Sequence, residues 1–332
     1  MSPESPSVAS PEASARAKRE HRAEAASSER QRSKIVFGIV FLLSALLMSY
    51  WMNRGWIPGD DGTLAQGALR VMQGQLPHRD FVENYTGGLD YYHALAFRLL
   101  GVNLTALRMA VFVVFLGWVP AVFSVVRRLA GPIAAGLITL LCVTWSLPTY
   151  PAAMPSWYNL FLATFGTVAI LRFTETGKQR WLFVAGLAGG VSFLVKVTAL
   201  YYVAAVMLFL IYREQRRGER GSGGAAGYRA FVIAGLSAFA VAVCLLIRGN
   251  VTLFTVTEIA LPSVAAAMAL VLGNLRSAGE ADGSRLRRLL GEAWPFAAGA
   301  LVPIAVFLVP YFASSSVGRF FSGVFVAGAG RA

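Results

Sequence analysis

Long apolar segments recur along the chain from Ile35 to Phe312. Each runs for about 15 to 20 residues, close to the length that a helix needs to cross the hydrocarbon core of a bilayer. Hydrophobic residues make up 56% of the 332 residues and charged residues only 14%, against about 25% in an ordinary soluble domain. A soluble fold of this size could not bury so many helices that are apolar on every side. The sequence therefore predicts an all-α, polytopic membrane protein and excludes a soluble globular enzyme.

The apolar segments predict nine transmembrane helices after a polar, disordered tail at residues 1–34. The segment 181–212 is divided near Lys196, because one helix of that length would measure about 48 Å against a hydrocarbon core of about 30 Å. The predicted spans are 35–52, 109–126, 133–147, 157–173, 181–195, 198–212, 230–247, 259–273 and 294–312.

Basic residues are concentrated on one side of this predicted topology. With the N-terminal tail in the cytoplasm, 21 of the 30 Lys and Arg residues fall in cytoplasmic segments, as the positive-inside rule requires. A single span over 181–212 would move the basic segment 213–229 outside, so the same rule supports a hairpin at Lys196. The net charge of +13 therefore reflects topology. The Arg runs lack interleaved aromatic residues, so no nucleic acid partner is predicted. The predicted location is the inner (plasma) membrane.

Acidic residues are concentrated in one external loop, predicted over residues 53–107. Five of the 17 Asp and Glu residues lie between Asp60 and Asp90. A simple connection would need only a few residues, so the length and acidity of this loop predict binding or chemistry. Apolar residues recur at helical spacing within 64–72 and again within 89–99, which predicts two amphipathic helices at the outer membrane surface.

Asp60 and Asp61 form an adjacent carboxylate pair just after the first span. One Asp at this position would cap the following helix and complement its dipole. A second, adjacent carboxylate adds repulsion, which favours a catalytic base, a metal ligand or both.

The middle of the loop, residues 74–88, is rich in turn-forming, charged and aromatic residues. Arg79 and Asp80 have two open interpretations, a structural ion pair and a role in catalysis. His78 and His93 are too few for a two-His metal centre in the absence of a neighbouring Cys. The third and last His lies in the tail, which excludes a Ser-His protease and a haem held by two intramembrane His residues.

The loop resembles the first external loop of the GT-C glycosyltransferases. The resemblance is closest to the branch that contains the protein O-mannosyltransferases and the aminoarabinose transferase of lipid A, and its ordered motifs cover about 50 residues. These motifs are Asp60-Asp61-Gly62, Ala68, Gly74, Pro77-His78-Arg79-Asp80-Phe81, Asn84-Tyr85-Thr86-Gly87, Tyr91-Tyr92, Phe97-Arg98-Leu99-Leu100-Gly101 and Ala106-Leu107-Arg108.

The resemblance implies transfer of a hexosyl or pentosyl unit from a polyprenyl-phosphate carrier, on the outer face of the membrane, to a glycan, lipid or protein hydroxyl. It places the catalytic acid at Asp60 or Asp61, with Asp60 favoured as the base. Such a reaction also needs a cation for the departing phosphate. The cation candidates are Lys196, Arg79, Arg98 and a divalent metal, and the sequence assigns no metal or other cofactor. Predicted substrate-binding residues are Arg79, Asp80, Glu83, Tyr85 and Lys196.

The chain departs from this family at two places. Many members have Asp-Glu where this chain has Asp60-Asp61, which leaves the division of labour between the two acids open. Many continue into further spans and a soluble C-terminal domain, so residues 35–332 are expected to form a GT-C-like membrane domain whose C-terminal domain is absent or truncated.

Two other functional classes compete with the glycosyltransferase prediction. A transporter or lipid flippase would place ionisable residues at the bilayer midplane and often has two related halves. No such repeat is recognisable, and only Lys196 is a candidate for a deep position. A non-catalytic scaffold would not need an acidic loop. Arg54 and Arg108 flank predicted spans and are interpreted as interfacial anchors.

Overall fold

The computed structural model describes residues 11–217, 226–248, 251–276 and 282–327. These residues are almost entirely helical, and the only strand-like pairing among them is an isolated bridge between Pro77 and Phe81. The α-helices are α1 (Pro11–Met52), α2 (Pro58–Met72), α3 (Gly88–Leu100), α4 (Leu104–Val126), α5 (Pro132–Thr144), α6 (Pro155–Thr176), α7 (Arg180–Val195), α8 (Leu200–Arg217), α9 (Ala226–Ile247), α10 (Leu261–Arg276), α11 (Asp282–Ala313) and α12 (Val317–Phe321). Short 3₁₀ turns occur at Leu147–Thr149 and Val197–Ala199, and π-helical turns at Thr255–Ala260 and Ser322–Ala327.

The prediction of an all-α, polytopic membrane protein is confirmed. Within the described residues, seven helical segments are long and apolar enough to cross a membrane, and they include most of α4, α8, α9 and α11. Each of the nine predicted spans falls on a helix, but α7 has only 16 residues and α6 is not among the seven. The count of nine therefore stays a prediction.

The polar segment before the first span differs from its prediction. Residues 11–34, predicted as part of a disordered tail, continue the first span as one helix that begins at Pro11. This segment is rich in Ala, Glu, Arg and Lys, which have high helix propensity. Low hydrophobicity pointed to disorder, whereas helix propensity and continuity with an apolar helix favour the helical form. Residues 1–10 lie outside the described residues.

The chain divides into two compact units. The first comprises Met1–Gly55 and Phe112–Pro151 and contains α1, most of α4, and α5. Within it, α1 packs on α5 where Gly136 gives Val36 and Val40 a close approach. The Phe37 and Phe123 rings also pack in a tilted arrangement, with 5.3 Å between their centroids.

The second unit comprises Trp56–Val111 and Ala152–Ala332 and contains the acidic loop. Its centre is α7, which packs tightly on α6 and α11. A side chain at Gly186 or Gly190 would collide with the backbone of α11, and one at Gly299 would collide with the backbone of α7. Glycine at these positions allows the helix backbones to approach each other closely.

The predicted break near Lys196 is confirmed within this unit. Lys196 has an extended backbone, with φ −158° and ψ 137°, and it ends α7. The chain then turns through a short 3₁₀ segment into α8, which folds back beside α7. Tyr202 of α8 donates its hydroxyl hydrogen to the Ala185 carbonyl oxygen of α7 over 3.2 Å, and its ring lies against Gly189.

The two loop helices, α2 and α3, form as predicted but bury more of their apolar faces than expected. Leu64, Ala68 and Val71 of α2 are buried, as are Leu89 and Ala96 of α3. The two helices pack on each other, so these residues contact protein instead of lipid. The interfacial position of α2 and α3 stays a prediction.

Helix α11 connects two chemically different ends of the second unit. At one end, called the loop end, Tyr311 donates a hydrogen bond to the Pro77 carbonyl oxygen over 2.9 Å. At the other, called the basic end, Glu292 accepts hydrogen bonds from Arg213 and Arg217 of α8. Tyr311 follows Glu292 by 19 residues along α11, or about 28 Å at the rise of an α-helix.

Candidate functional site

The segment between α2 and α3 is a compact turn pinned from several sides. The Leu76 amide donates to the Asp80 carboxylate over 2.8 Å, and the His78 amide donates to the Phe81 carbonyl oxygen over 2.9 Å. The Nε2 atom of His78 lies 2.9 Å from the Tyr85 carbonyl oxygen. Because a carbonyl only accepts, this nitrogen carries the ring proton. The turn therefore presents its polar side chains from a fixed backbone.

Two glycines fix where this turn meets α7. Gly87 has φ +97°, a backbone conformation that residues other than glycine rarely adopt, and it lies against Pro77. Gly88 contacts the backbone and side chain of Leu194, and a Cβ atom there would collide with both. The Gly-Gly pair thus allows the start of α3 to approach the end of α7, and Tyr85 thereby approaches Lys196.

Asp61 is a buried structural carboxylate. Its Oδ2 atom accepts a hydrogen bond from Arg108 Nη2 at 2.9 Å, and Asp61 and Arg108 are 2% and 1% exposed. The same oxygen accepts the Ile57 amide hydrogen over 3.2 Å, just before α2 begins. The prediction of an Asp at the N-cap is wrong, because the N-cap residue of α2 is Ile57 and both carboxylates lie in the first turn. Asp61 instead accepts the amide hydrogen of that N-cap residue. Arg108, interpreted from sequence as an interfacial anchor, instead joins the start of α4 to the start of α2.

Asp60 is half-buried and acts electrostatically on Tyr85. Burial raises the pKa of the Tyr85 hydroxyl, and the charges of Asp60 and Glu83 raise it further. The adjacent carboxylates therefore have different environments. Asp61 has a guanidinium partner in the protein interior, whereas Asp60 lies nearer solvent and acts on an aromatic hydroxyl.

Lys196 lies beside the same tyrosine. Its ammonium is 5.7 Å from the centre of the Tyr85 ring and donates to the Ser156 hydroxyl over 3.2 Å. The Asn159 amide group donates to the Lys196 carbonyl oxygen over 3.3 Å and to the Thr198 hydroxyl over 3.1 Å. These contacts from the start of α6 hold the extended residue that ends α7. Asp60 and Lys196, which are 136 positions apart in the sequence, thus share one neighbour.

Glu83 and Asp90 form a buried acid pair behind Tyr85. Glu83 Oε1 accepts the amide hydrogens of Asn84 at 2.9 Å and Tyr85 at 3.1 Å. Asp90, in the first turn of α3, is 3% exposed and lies against Gly67 of α2. Burial, then the charge of Glu83 and a hydrogen bond with it, raise the pKa of Asp90 to about 9. At neutral pH Asp90 is therefore protonated and donates to Glu83.

Arg79 and Asp80 lie apart from Tyr85. They make a two-point ion pair, with Arg79 Nε and Nη2 at 2.8 and 2.7 Å from the two Asp80 oxygens. The hydrogen bonds from Arg79 and the Leu76 amide lower the pKa of the Asp80 carboxyl, and the nearby charge of Arg319 adds to this shift. The ion pair between Arg79 and Asp80 therefore forms, and their role in binding or catalysis stays a prediction. Glu83 and Lys196 both contact Tyr85, whereas the contacts described for Arg79 and Asp80 do not include it.

The histidines of the loop serve packing. His93 is fully buried, its Nε2 atom is 3.0 Å from the Tyr158 hydroxyl, and burial lowers its pKa to about 3. The His78 ring packs edge-on against Phe320 of α12. Among the described residues no group of three or more His, Cys, Asp or Glu side chains could together hold a metal ion.

Several residues that complete the site carried no recognisable signal in the sequence. Ser156, Asn159, Tyr311 and Arg319 reach the loop from helices that follow it in the chain by dozens to hundreds of residues. Each is a common residue type in an ordinary helical context. Asp90 was visible only as one of five loop acids.

Comparison with known proteins identifies the domain. Residues 88–234, from the start of α3 into α9, match the family described as dolichyl-phosphate-mannose-protein mannosyltransferase. No curated protein and no solved structure matches the chain. The matched segment contains Asp90 and Lys196 but begins after Asp60. The resemblance to the GT-C glycosyltransferases is thus confirmed: residues 88–234, somewhat less than half of the chain, match a family of membrane glycosyltransferases that use a polyprenyl-phosphate-linked sugar.

Proposed function

We propose that this protein transfers a sugar from a polyprenyl-phosphate carrier to an acceptor hydroxyl on the outer face of the inner membrane. The observation that carries the proposal is the convergence of Asp60 and Lys196 on Tyr85. A carboxylate and an ammonium at one site supply the two groups that this transfer needs, a proton acceptor and a charge for the leaving phosphate.

Asp60 is the proposed general base. The acceptor oxygen attacks the anomeric carbon of the carrier-bound sugar, and Asp60 takes the hydroxyl proton. The bond from that carbon to the phosphate oxygen breaks, and its electron pair stays on the phosphate. Asp60 suits this role better than Asp61, because Asp61 is buried and already paired with Arg108.

Lys196 is the proposed partner of the carrier phosphate. Its ammonium contacts a neutral hydroxyl and an aromatic ring. Because no carboxylate is among these described contacts, an anion can bind the ammonium without displacing one. Tyr85 supplies an aromatic surface and a hydroxyl beside the sugar. Glu83 acts as a positioning residue, since its carboxylate holds the backbone amides on both sides of Asn84.

The outer-face assignment is supported by charge. The acidic loop lies at the loop end of the second unit, while Arg213, Arg217 and Arg288 lie at the basic end. The positive-inside rule favours a cytoplasmic position for the basic end, and the same rule, applied to the basic residues of the N-terminal segment, favours a cytoplasmic N-terminus. The position of Lys196 at the end of α7, beside the loop, does not favour a transporter, which would place its ionisable groups at mid-helix depth.

The decisive experiment compares Asp60→Asn with Asp61→Asn. The full chain, purified into nanodiscs, is incubated with labelled polyprenyl-phosphate mannose and other carrier sugars and a set of acceptors. Asp60→Asn should lower the transfer rate by about two to four orders of magnitude, the usual contribution of a positioned base. Asp61→Asn should mainly lower stability. If only Asp61→Asn abolishes transfer, the base is Asp61; if both variants turn over normally, the proposed mechanism is wrong.

Sidedness is tested in right-side-out membrane vesicles loaded with the labelled carrier sugar. An acceptor that cannot cross the membrane should receive sugar when it is added outside. Transfer only after the vesicles are opened would place the site on the cytoplasmic face.

A further inference from the structure

A cavity lies at the loop end. It is lined by Arg79 and Asp80 of the loop and by Arg319 and Ser322 from the chain after α11. It measures about 530 Å³, and Phe81 and His78 contribute aromatic surface. This volume suits a sugar-sized or headgroup-sized ligand. The predicted catalytic pair, Asp60 and Lys196, does not line it.

The cavity carries a net positive charge. Arg79 and Arg319 bring two guanidinium groups, and Asp80 brings one carboxylate. Both nitrogens that Arg79 directs at Asp80 are engaged in the ion pair. Among the described residues, Arg319 has no carboxylate partner of its own. Its charge acts on Asp80, but the Asp80 carboxylate is already paired with Arg79. A group with one negative charge would restore neutrality in the cavity.

The walls of this cavity are preorganised. The Tyr311 hydroxyl holds the Pro77 carbonyl oxygen, and the His78 ring is fixed between the Tyr85 carbonyl oxygen and Phe320. Gly323 lies directly against the His78 ring, where a Cβ atom would collide with it. A rigid polar cavity loses little conformational entropy when it binds a ligand.

The cavity and the predicted catalytic pair involve different residues. Neither Asp60 nor Lys196 lines the cavity, and neither Arg79 nor Asp80 is among the charges that act on Tyr85. The carrier phosphate must lie at the bond that breaks, beside the base. An anion bound between Arg79 and Arg319 is therefore a different group from that phosphate.

We propose that this cavity binds an oxyanion, a phosphate or a carboxylate, carried by the acceptor. The inference rests on the proposed glycosyl transfer and adds a substrate class to it, namely an anionic acceptor. Arg319 is the specificity-determining residue, since its guanidinium faces the bound anion while Arg79 and Asp80 hold each other in place.

The test is a binding comparison with the full chain in phosphatidylcholine nanodiscs. The probes are butyl mannoside 6-phosphate and unphosphorylated butyl mannoside. The wild type should bind the phosphorylated probe at least about tenfold more tightly, and Arg319→Gln should abolish this preference, because a hydrogen bond to a charged group is lost. Arg319→Lys should retain part of the preference. Ser322→Asp, which adds a negative charge to the cavity, should abolish it by a second route.

Arg287→Gln is the matched control, since it removes one exposed guanidinium from α11 away from the cavity. It should bind both probes as the wild type does. Arg319→Gln should bind labelled polyprenyl-phosphate mannose normally. An unchanged phosphate preference in Arg319→Gln and Ser322→Asp would overturn the proposal. A second result would also overturn it: Arg319→Gln binds the carrier more weakly, and the carrier competes with the phosphorylated probe for binding. The anion bound in the cavity would then be the carrier phosphate. A wild type that transfers sugar from no carrier contradicts the proposed function instead, while the binding comparison still decides the anion site.

Discussion

The two ends of the second unit differ in whether their charged residues are matched by a partner of opposite charge. At the basic end, carboxylates and guanidinium groups pair across helices: Glu292 pairs with Arg213 and Arg217, and Glu214 pairs with Arg288. At the loop end, Arg79 pairs with Asp80, but Lys196 contacts only a hydroxyl and an aromatic ring among the contacts described. Charges that are matched within the protein stabilise helix contacts, whereas a charge held by neutral neighbours keeps its capacity to bind a ligand.

The same contrast occurs within the loop, between neighbours in the sequence. Asp61 is matched by Arg108 in the interior, while Asp60 is only half-buried and its charge acts on Tyr85. Adjacent residues on a helix point about 100° apart, so an Asp-Asp pair at a helix start naturally divides its members between two environments. Two adjacent acidic residues in the first turn of a helix therefore need not have the same function.

The largest effect is expected when the buried ion pair between Asp61 and Arg108 is broken. Arg108→Met leaves the Asp61 carboxylate buried without its partner, which should cost about 3–5 kcal/mol of stability. Arg217→Gln at the basic end should cost at most about 1 kcal/mol, because Arg217 is 43% exposed and Arg213 still pairs with Glu292. Thermal unfolding of both variants in nanodiscs measures the difference. Equal losses would contradict the structural role assigned to the Asp61–Arg108 pair.

A smaller effect, on activity alone, is expected at Lys196. Lys196→Met keeps the length of the side chain and removes its charge, so carrier binding should weaken and transfer should slow by about 10- to 100-fold, the contribution of a charge-assisted contact. The protein should stay folded, since the ammonium makes no ion pair with the described residues around it. Carrier binding and turnover are measured against Lys178→Met, in the turn just before α7. Normal affinity and turnover in Lys196→Met would reduce Lys196 to a membrane anchor.

A different kind of effect, a change in how stability depends on pH, is expected at Asp90. Its pKa of about 9 in the folded protein lies above the usual value near 4, so the folded state holds a proton that the unfolded state releases between these values. The stability that this proton contributes is present at low pH and is lost as pH rises toward 9, by at most about 1.4 kcal/mol per pH unit.

Asp90→Asn retains a hydrogen-bond donor for Glu83 but cannot titrate. Its unfolding temperature should therefore decline less than that of the wild type between pH 5 and 8.5. Identical slopes in the two proteins would show that Asp90 is ionised in the folded state. Asp90→Leu serves as the control that removes the donor and should lower stability at every pH.

Much of the fold was predictable because its strongest signals are local. Hydropathy placed each predicted span on a helix, length and charge divided 181–212 at Lys196, and turn residues placed the loop between α2 and α3. Where two local signals competed, as in residues 11–34, low hydrophobicity predicted disorder and helix propensity prevailed. The apolar faces of α2 and α3 were recognisable, but nothing local in the sequence indicated that they would pack on each other.

The sequence by itself determined that this chain is a helical membrane protein with an acidic loop after its first predicted span, because hydropathy, helix periodicity and charge act along the chain. It did not determine which loop charges remain available. That choice was made by the tertiary structure, which brings Arg108 to Asp61, Ser156 to Lys196 and Arg319 to the cavity at Arg79 and Asp80. The physical reason is that a charge is matched or available according to its neighbours in space, and these neighbours come from helices far apart in the chain.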